Sequence, residues 1–155
     1  MQKLREEGLS LPGEAEDKCC WCIPLKIGVI LVGIGMIASA VSIVIAGLGL
    51  LGTGATFIFG VLEIAAVAPM VLGSYFYIRW FMSMDDNDRK QGLFKACLLC
   101  VLSNIAYIIV GLVMSLTSEY MTFGGWFVSG LIPYAIVSVL YLYYAGAAKK
   151  YAAQA

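Results

Sequence analysis

Residues 19–46 read CCWCIPLKIGVILVGIGMIASAVSIVIA: three cysteines in four positions, a proline, one lysine, and then an unbroken apolar run. From Ile27 onward the run carries no charge until Glu63. Roughly twenty apolar residues suffice to cross a ~30 Å hydrocarbon core as a helix, so this stretch is read as a membrane span. The rest of the chain fits that reading. Of its 155 residues 61% are hydrophobic and 13% charged, whereas a soluble domain is roughly 45–50% apolar. The expected fold is all-α, an integral membrane four-helix bundle of the tetraspan kind.

The helices are expected over 25–46, 57–81, 92–116 and 123–146. Pro24 suits the first turn of the first helix, where its missing N–H has no partner to lose. Gly47, Gly49, Gly52 and Gly54 read as a tight turn, with Thr53 or Thr56 capping the helix that follows. In the polar loop SMDDNDRKQG, Asp88 and Gln91 have capping-box spacing, which sets the expected start of the third helix. Ser118-Glu119-Tyr120 forms a short connection and Gly124-Gly125 opens the fourth helix. Pro69 and Pro133 fall inside helices and are expected to kink them. The transmembrane domain is thus 24–148, flanked by a polar tail over 1–23 and a short one over 149–155. The first of these mixes Lys3 and Arg5 with Glu6, Glu7, Glu14, Glu16 and Asp17 and has no apolar segment before Cys19, so it reads as a solvated tail and not a signal peptide.

Charge orients the bundle. Lys3, Arg5, Lys18 and Lys26 precede or enter the first helix; Arg79, Arg89, Lys90 and Lys95 flank the loop between the second and third; Lys149 and Lys150 follow the fourth. These are all ten basic residues, and they share one side, so the positive-inside rule puts both termini in the cytoplasm. Trp21, Trp80 and Tyr144 are expected at that interface, Tyr120 and Trp126 at the other.

Few side chains carry chemistry. The chain has no histidine, which removes the commonest metal ligand and general base, and it holds no P-loop, GxSxG, HExxH or dinucleotide fingerprint. A non-enzymatic protein without cofactor is expected, and its zero net charge offers nothing to nucleic acid. Cys19, Cys20 and Cys22 lie where an acyl chain can re-enter the adjacent leaflet, which makes them S-acylation candidates. Cys97 and Cys100, three apart on one helix, read as small interior residues, with a shared zinc site as the alternative. Glu63 lies about 10 Å inside the second helix. An ionisable group at that depth is costly and marks either a hydrogen bond between helices or a site that handles protons or cations. Ser39, Ser42, Tyr107 and Ser129 are its candidate partners, and Asn104 reads as polar glue in the third helix. Close helix approach is expected at Gly35 with Ser39, at Ala38 with Ser42 and Ala46, and at Gly125 with Ser129.

The run KCCWCIPLKIGVILVGI, residues 18–34, resembles the start of the lysosome-associated transmembrane family, in which clustered cysteines precede a basic-X-Gly entrance to the first helix, here Lys26-Ile27-Gly28. The resemblance implies a eukaryotic endomembrane tetraspan with cytoplasmic termini, acting as a lysosomal or endosomal adaptor. From the residues alone, the expected role is a structural or interaction protein that associates laterally with membrane lipids and with copies of itself. A proton- or cation-translocating subunit using Glu63 is the alternative. For topology, Gln2→Cys and Gln154→Cys in a cysteine-free background are expected to react with an impermeant maleimide only after permeabilisation. Thr53→Cys and Ser118→Cys should react without it, and labelling in the opposite order would invert the topology.

Overall fold

The computed structural model describes residues 18–19, 23–52, 54, 56–117 and 122–153. The expectations placed on Thr53, on Ser118-Glu119-Tyr120, on Trp21, on Cys20 and Cys22, and on the tail before Lys18 lie outside these residues. Among the described residues the protein is helical apart from a two-residue antiparallel pairing of Lys18–Cys19 with Ile23–Pro24. The helices are α1 (Leu25–Leu51), α2 (Phe57–Phe81), α3 (Asn87–Thr117) and α4 (Phe123–Ala153). All four are long and apolar enough to cross a membrane. In hydrocarbon only such a backbone satisfies its own N–H and C=O groups.

α2 has the expected limits, whereas α1 and α3 are longer than expected for identifiable reasons. α1 runs on to Leu51 because Gly47 is a packing residue and not a turn former. A Cβ on Gly47 would meet Ile64 at 2.9 Å, and one on Gly60 would meet the Gly47 carbonyl oxygen at 2.9 Å. Thr56 does not cap α2. Its hydroxyl donates to the carbonyl of Leu50 at 2.9 Å and so closes the end of α1. α3 begins at Asn87 because the Asp86 carboxylate accepts the N–H of Asp88 at 3.0 Å, which moves the cap two residues ahead of the expected Asp88. Arg89 locks this corner, pairing with Asp86 at 3.1 Å and donating to the carbonyl of Arg79 at the end of α2 at 2.9 Å.

α4 starts at its expected residue, with the Thr122 hydroxyl accepting the N–H of Gly125 at 3.1 Å. It then widens into a π-helical stretch over Phe127–Leu131 before continuing as α-helix from Ile132 to Ala153, past the expected end at 146 and into the expected tail. The wide turn stands directly before Pro133, which has no N–H to give and whose ring crowds the turn behind it. Through Pro69 the helical backbone of α2 continues.

α1 packs on α2, α2 on α3 and α3 on α4, while α1 meets α4 only sparsely. This up-and-down order brings the described lysines and arginines to one end, where Leu25 of α1 touches Ala147 of α4 and Trp80 of α2 meets Tyr151 at 5.7 Å. That end is solid: Tyr77, Trp80, Leu93, Cys97, Ala145 and Ala148 are buried there. Trp80 at this end and Trp126 at the opposite one are both buried between helices. Each ring fills a space that neighbouring helices leave.

On α1 the buried positions Val29, Gly33, Met36, Ala40 and Gly47 alternate by threes and fours, which keeps one stripe facing α2. Gly33 lies under the Tyr77 ring, a Cβ on Gly73 would come within 3.0 Å of the Ala96 carbonyl oxygen, and one on Gly111 within 2.7 Å of Trp126. The stripe expected to make the close approach, Gly35, Ala38, Ser39, Ser42 and Ala46, is exposed, and so are Gly125 and Ser129. It sits to one side of the face that meets α2. Gly60→Ala and Gly73→Ala should therefore each cost about 1–3 kcal/mol of stability from overpacking. Gly35→Ala, with nothing within 4 Å of the added methyl, should be neutral. Unfolding titrations of the three variants in micelles make the comparison, and equal losses would refute it.

Candidate functional site

The site grows from the contact between α2 and α3. Pro69 removes one N–H from the α2 ladder, and the turn preceding it receives hydroxyl donors from α3. Ser103 donates to the carbonyl of Ala66 at 2.6 Å, and Tyr107 donates to the carbonyl of Glu63 at 3.1 Å. Ser103 and Tyr107, four apart, share one face of α3. That spacing was readable in the sequence, but nothing in it said which carbonyls the hydroxyls would reach.

α4 is then held on α3 by aromatic contacts. The Tyr107 ring stacks on Tyr134 at 5.4 Å and 10°. Trp126 covers Gly111 and donates its indole N–H to the carbonyl of Ile108 at 3.2 Å. Because these contacts tie α4 to α3 and leave it largely clear of α1, a cleft remains between α1 and α4.

Two adjoining cavities occupy that cleft. The first, of about 330 Å³, is lined by Glu63 together with Ser42, Tyr107, Trp126, Ser129 and Tyr134. The second, of about 510 Å³, lies on the side of the basic end and is lined by Ser39, Met70, Asn104, Pro133 and Tyr141. Both are walled in part by Ser42, Ile43, Ser129 and Tyr134, so they adjoin. Neither has a lysine or arginine in its wall.

Glu63 therefore meets the partners named for it in a particular way. Ser42, Tyr107 and Ser129 line its cavity and Ser39 lines the next. The hydrogen bond between helices, however, is made by the Glu63 backbone, and its carboxyl has no hydrogen bond or ion pair with any described residue. Asn104 is 1% exposed, and its amide nitrogen has no partner among the described residues. Cys97 and Cys100 are fully buried in α3, with the Cys97 sulfur 3.7 Å from the Tyr77 hydroxyl. Among the described residues no three His, Cys, Asp or Glu side chains converge as a metal site would need, and the cysteine side chains at 19, 20 and 22 lie outside what is described. Tyr134 and Ser103 are the site residues that the sequence reading did not single out.

No family model, curated protein or solved structure matches this chain. The site is thus read from its own geometry. Ser103→Ala and Tyr107→Phe should each lower stability by roughly 0.6–2 kcal/mol, the range for a hydrogen bond between helices in a membrane. The double variant should lose less than the sum, since both hydroxyls clamp one turn of α2. Reversible unfolding in bicelles measures it, and full additivity would show that the two bonds act separately.

Proposed function

We propose that this is a non-enzymatic multi-pass membrane protein that acts by lateral association, as a self-assembling, membrane-organising subunit. Its basic end and both termini face the cytoplasm, in an endomembrane or the plasma membrane. One observation carries the reading. In α4 only 6% of the central span is buried by the rest of the chain, against 28–33% in the other three helices, yet α4 is the least apolar of the four. A helix solvated by lipid alone should be the most apolar one, because lipid offers nothing to its polar groups. α4 is thus the helix with most of its surface left for a protein neighbour, and its outward face presents Ile132, Ile136 and Val139.

The economy of the chain supports the same reading. Its longest described polar connection is the corner between α2 and α3, so recognition falls to the helix faces.

In a cysteine-free background, Ile136→Cys and Val139→Cys should give disulfide-linked dimers in native membranes. Ile109→Cys, equally outward on α3, should not. Glu63→Gln should leave cross-linking unchanged, because the bond to Tyr107 is made by the backbone of residue 63. Uniform cross-linking at all three sites, or none, would overturn the proposal.

A further inference from the structure

Four of the polar side chains around Glu63 spend their donors on backbone carbonyls. Ser42 donates its proton to the carbonyl of Ala38 at 2.9 Å, Ser129 to that of Gly125 at 2.6 Å, Tyr107 to that of Glu63 and Trp126 to that of Ile108. With these donors spent on backbone, the wall presents oxygen lone pairs, aromatic rings, the Tyr134 hydroxyl and one carboxyl group. No basic side chain lines it to balance an ionised Glu63. A carboxylate beside stacked tyrosines and a tryptophan is the chemical complement of an ammonium group, which gains from both the negative charge and the ring faces. A small hard ion fits less well, since it needs a full shell of oxygens in a wall that is largely aromatic and aliphatic.

The adjoining cavity has the opposite requirement. The amide nitrogen of Asn104 is buried and lacks an acceptor among the described residues, and a buried donor left unpaired is unfavourable. The bonds from Tyr107 to Glu63 and from Ser103 to Ala66 put Asn104 about one helical turn, ~5 Å, from the level of Glu63. The mouth of the cleft lies between Ser39 and Ser42 on α1 and Ser129 and Pro133 on α4, all exposed, so none of the described residues covers it. Toward the basic end the passage stops at the packed layer of Tyr77, Trp80 and Ala148. The cleft is open at its flank and blocked at one end, the form of a binding site and not of a pore.

We propose that the adjoining cavities bind an amphiphilic organic cation that enters sideways from the bilayer. Its ammonium group rests against Glu63, Tyr107, Tyr134 and Trp126, and a carbonyl or ether oxygen about one helical turn away accepts from Asn104. The combined space is that of an ordinary small-molecule site. This inference is independent of lateral association, because every residue it uses belongs to one chain.

Benzoylcholine is a suitable probe, carrying a permanent ammonium, an ester carbonyl at the required separation and an apolar ring. The full chain in nanodiscs should show saturable quenching of tryptophan fluorescence, lost in Trp126→Phe. Glu63→Gln should weaken binding roughly tenfold or more, and Asn104→Leu by a few-fold. The uncharged isostere, with carbon in place of the ammonium nitrogen, should not saturate. Equal affinity in wild type and Glu63→Gln would overturn the proposal, as would equal binding of the isostere or displacement of the probe by millimolar sodium. Circular dichroism and an unfolding titration of each variant report whether it is folded, so a loss of binding is assigned to the site and not to the fold.

Discussion

The bundle depends on the closeness of α2 to α3. Gly73 lies against the backbone of Ala96, so near that a methyl group would meet its carbonyl oxygen at 3.0 Å. At this distance the hydroxyls of Ser103 and Tyr107 reach the α2 carbonyls near Pro69. These bonds add to the turn before Pro69 and do not replace the one it lacks, since the carbonyl left without its N–H is that of Ala65; glycine is what lets α3 come near enough to make them. α1 attaches to the other side of α2 by the same device, through Gly33 under Tyr77 and Gly47 against Gly60. α2 is therefore the spine of the fold, and α4 joins it chiefly by way of α3, apart from the contact of Tyr151 with Trp80 at the basic end.

From this order follows a molecule with two unlike halves. At the basic end alanines and glycine of α4 let α1, α2 and α3 close around Tyr77, Trp80 and Tyr151, and little space is left. At the other end Trp126 and the Tyr107–Tyr134 stack hold α4 against α3 and away from α1. The wide π turn before Pro133 lies in the same region. The cleft is thus a consequence of where the large rings fall along α4, and Glu63 lines it because it lies one helical face from the Tyr107 contact.

Much of the fold was legible in sequence, for a simple physical reason. A backbone in hydrocarbon has to satisfy its own hydrogen bonds, so an uninterrupted apolar run has one available structure. Errors came at the ends, where several residues compete for one role. Asp85, Asp86 and Asp88 can all cap a helix, and only the ion pair of Asp86 with Arg89 selects among them. Gly47 stands in a run with the composition of a turn, and only the facing helix, with Gly60 and Ile64, reveals that it is a contact. Small residues at spacing four recur on two faces of α1, and the sequence cannot say which face meets α2.

The sequence by itself determined the four helices, their antiparallel order and the single basic end, because hydrophobic length and charge asymmetry act along the chain and need no knowledge of neighbours. It also marked Glu63 and Asn104 as costly. What those residues do was decided by tertiary structure alone. A carboxyl gains a partner, a cavity or neither according to which rings and carbonyls the other helices bring to its level, and that arrangement is fixed by packing between segments more than forty residues apart, as with Tyr107 and the backbone of Glu63.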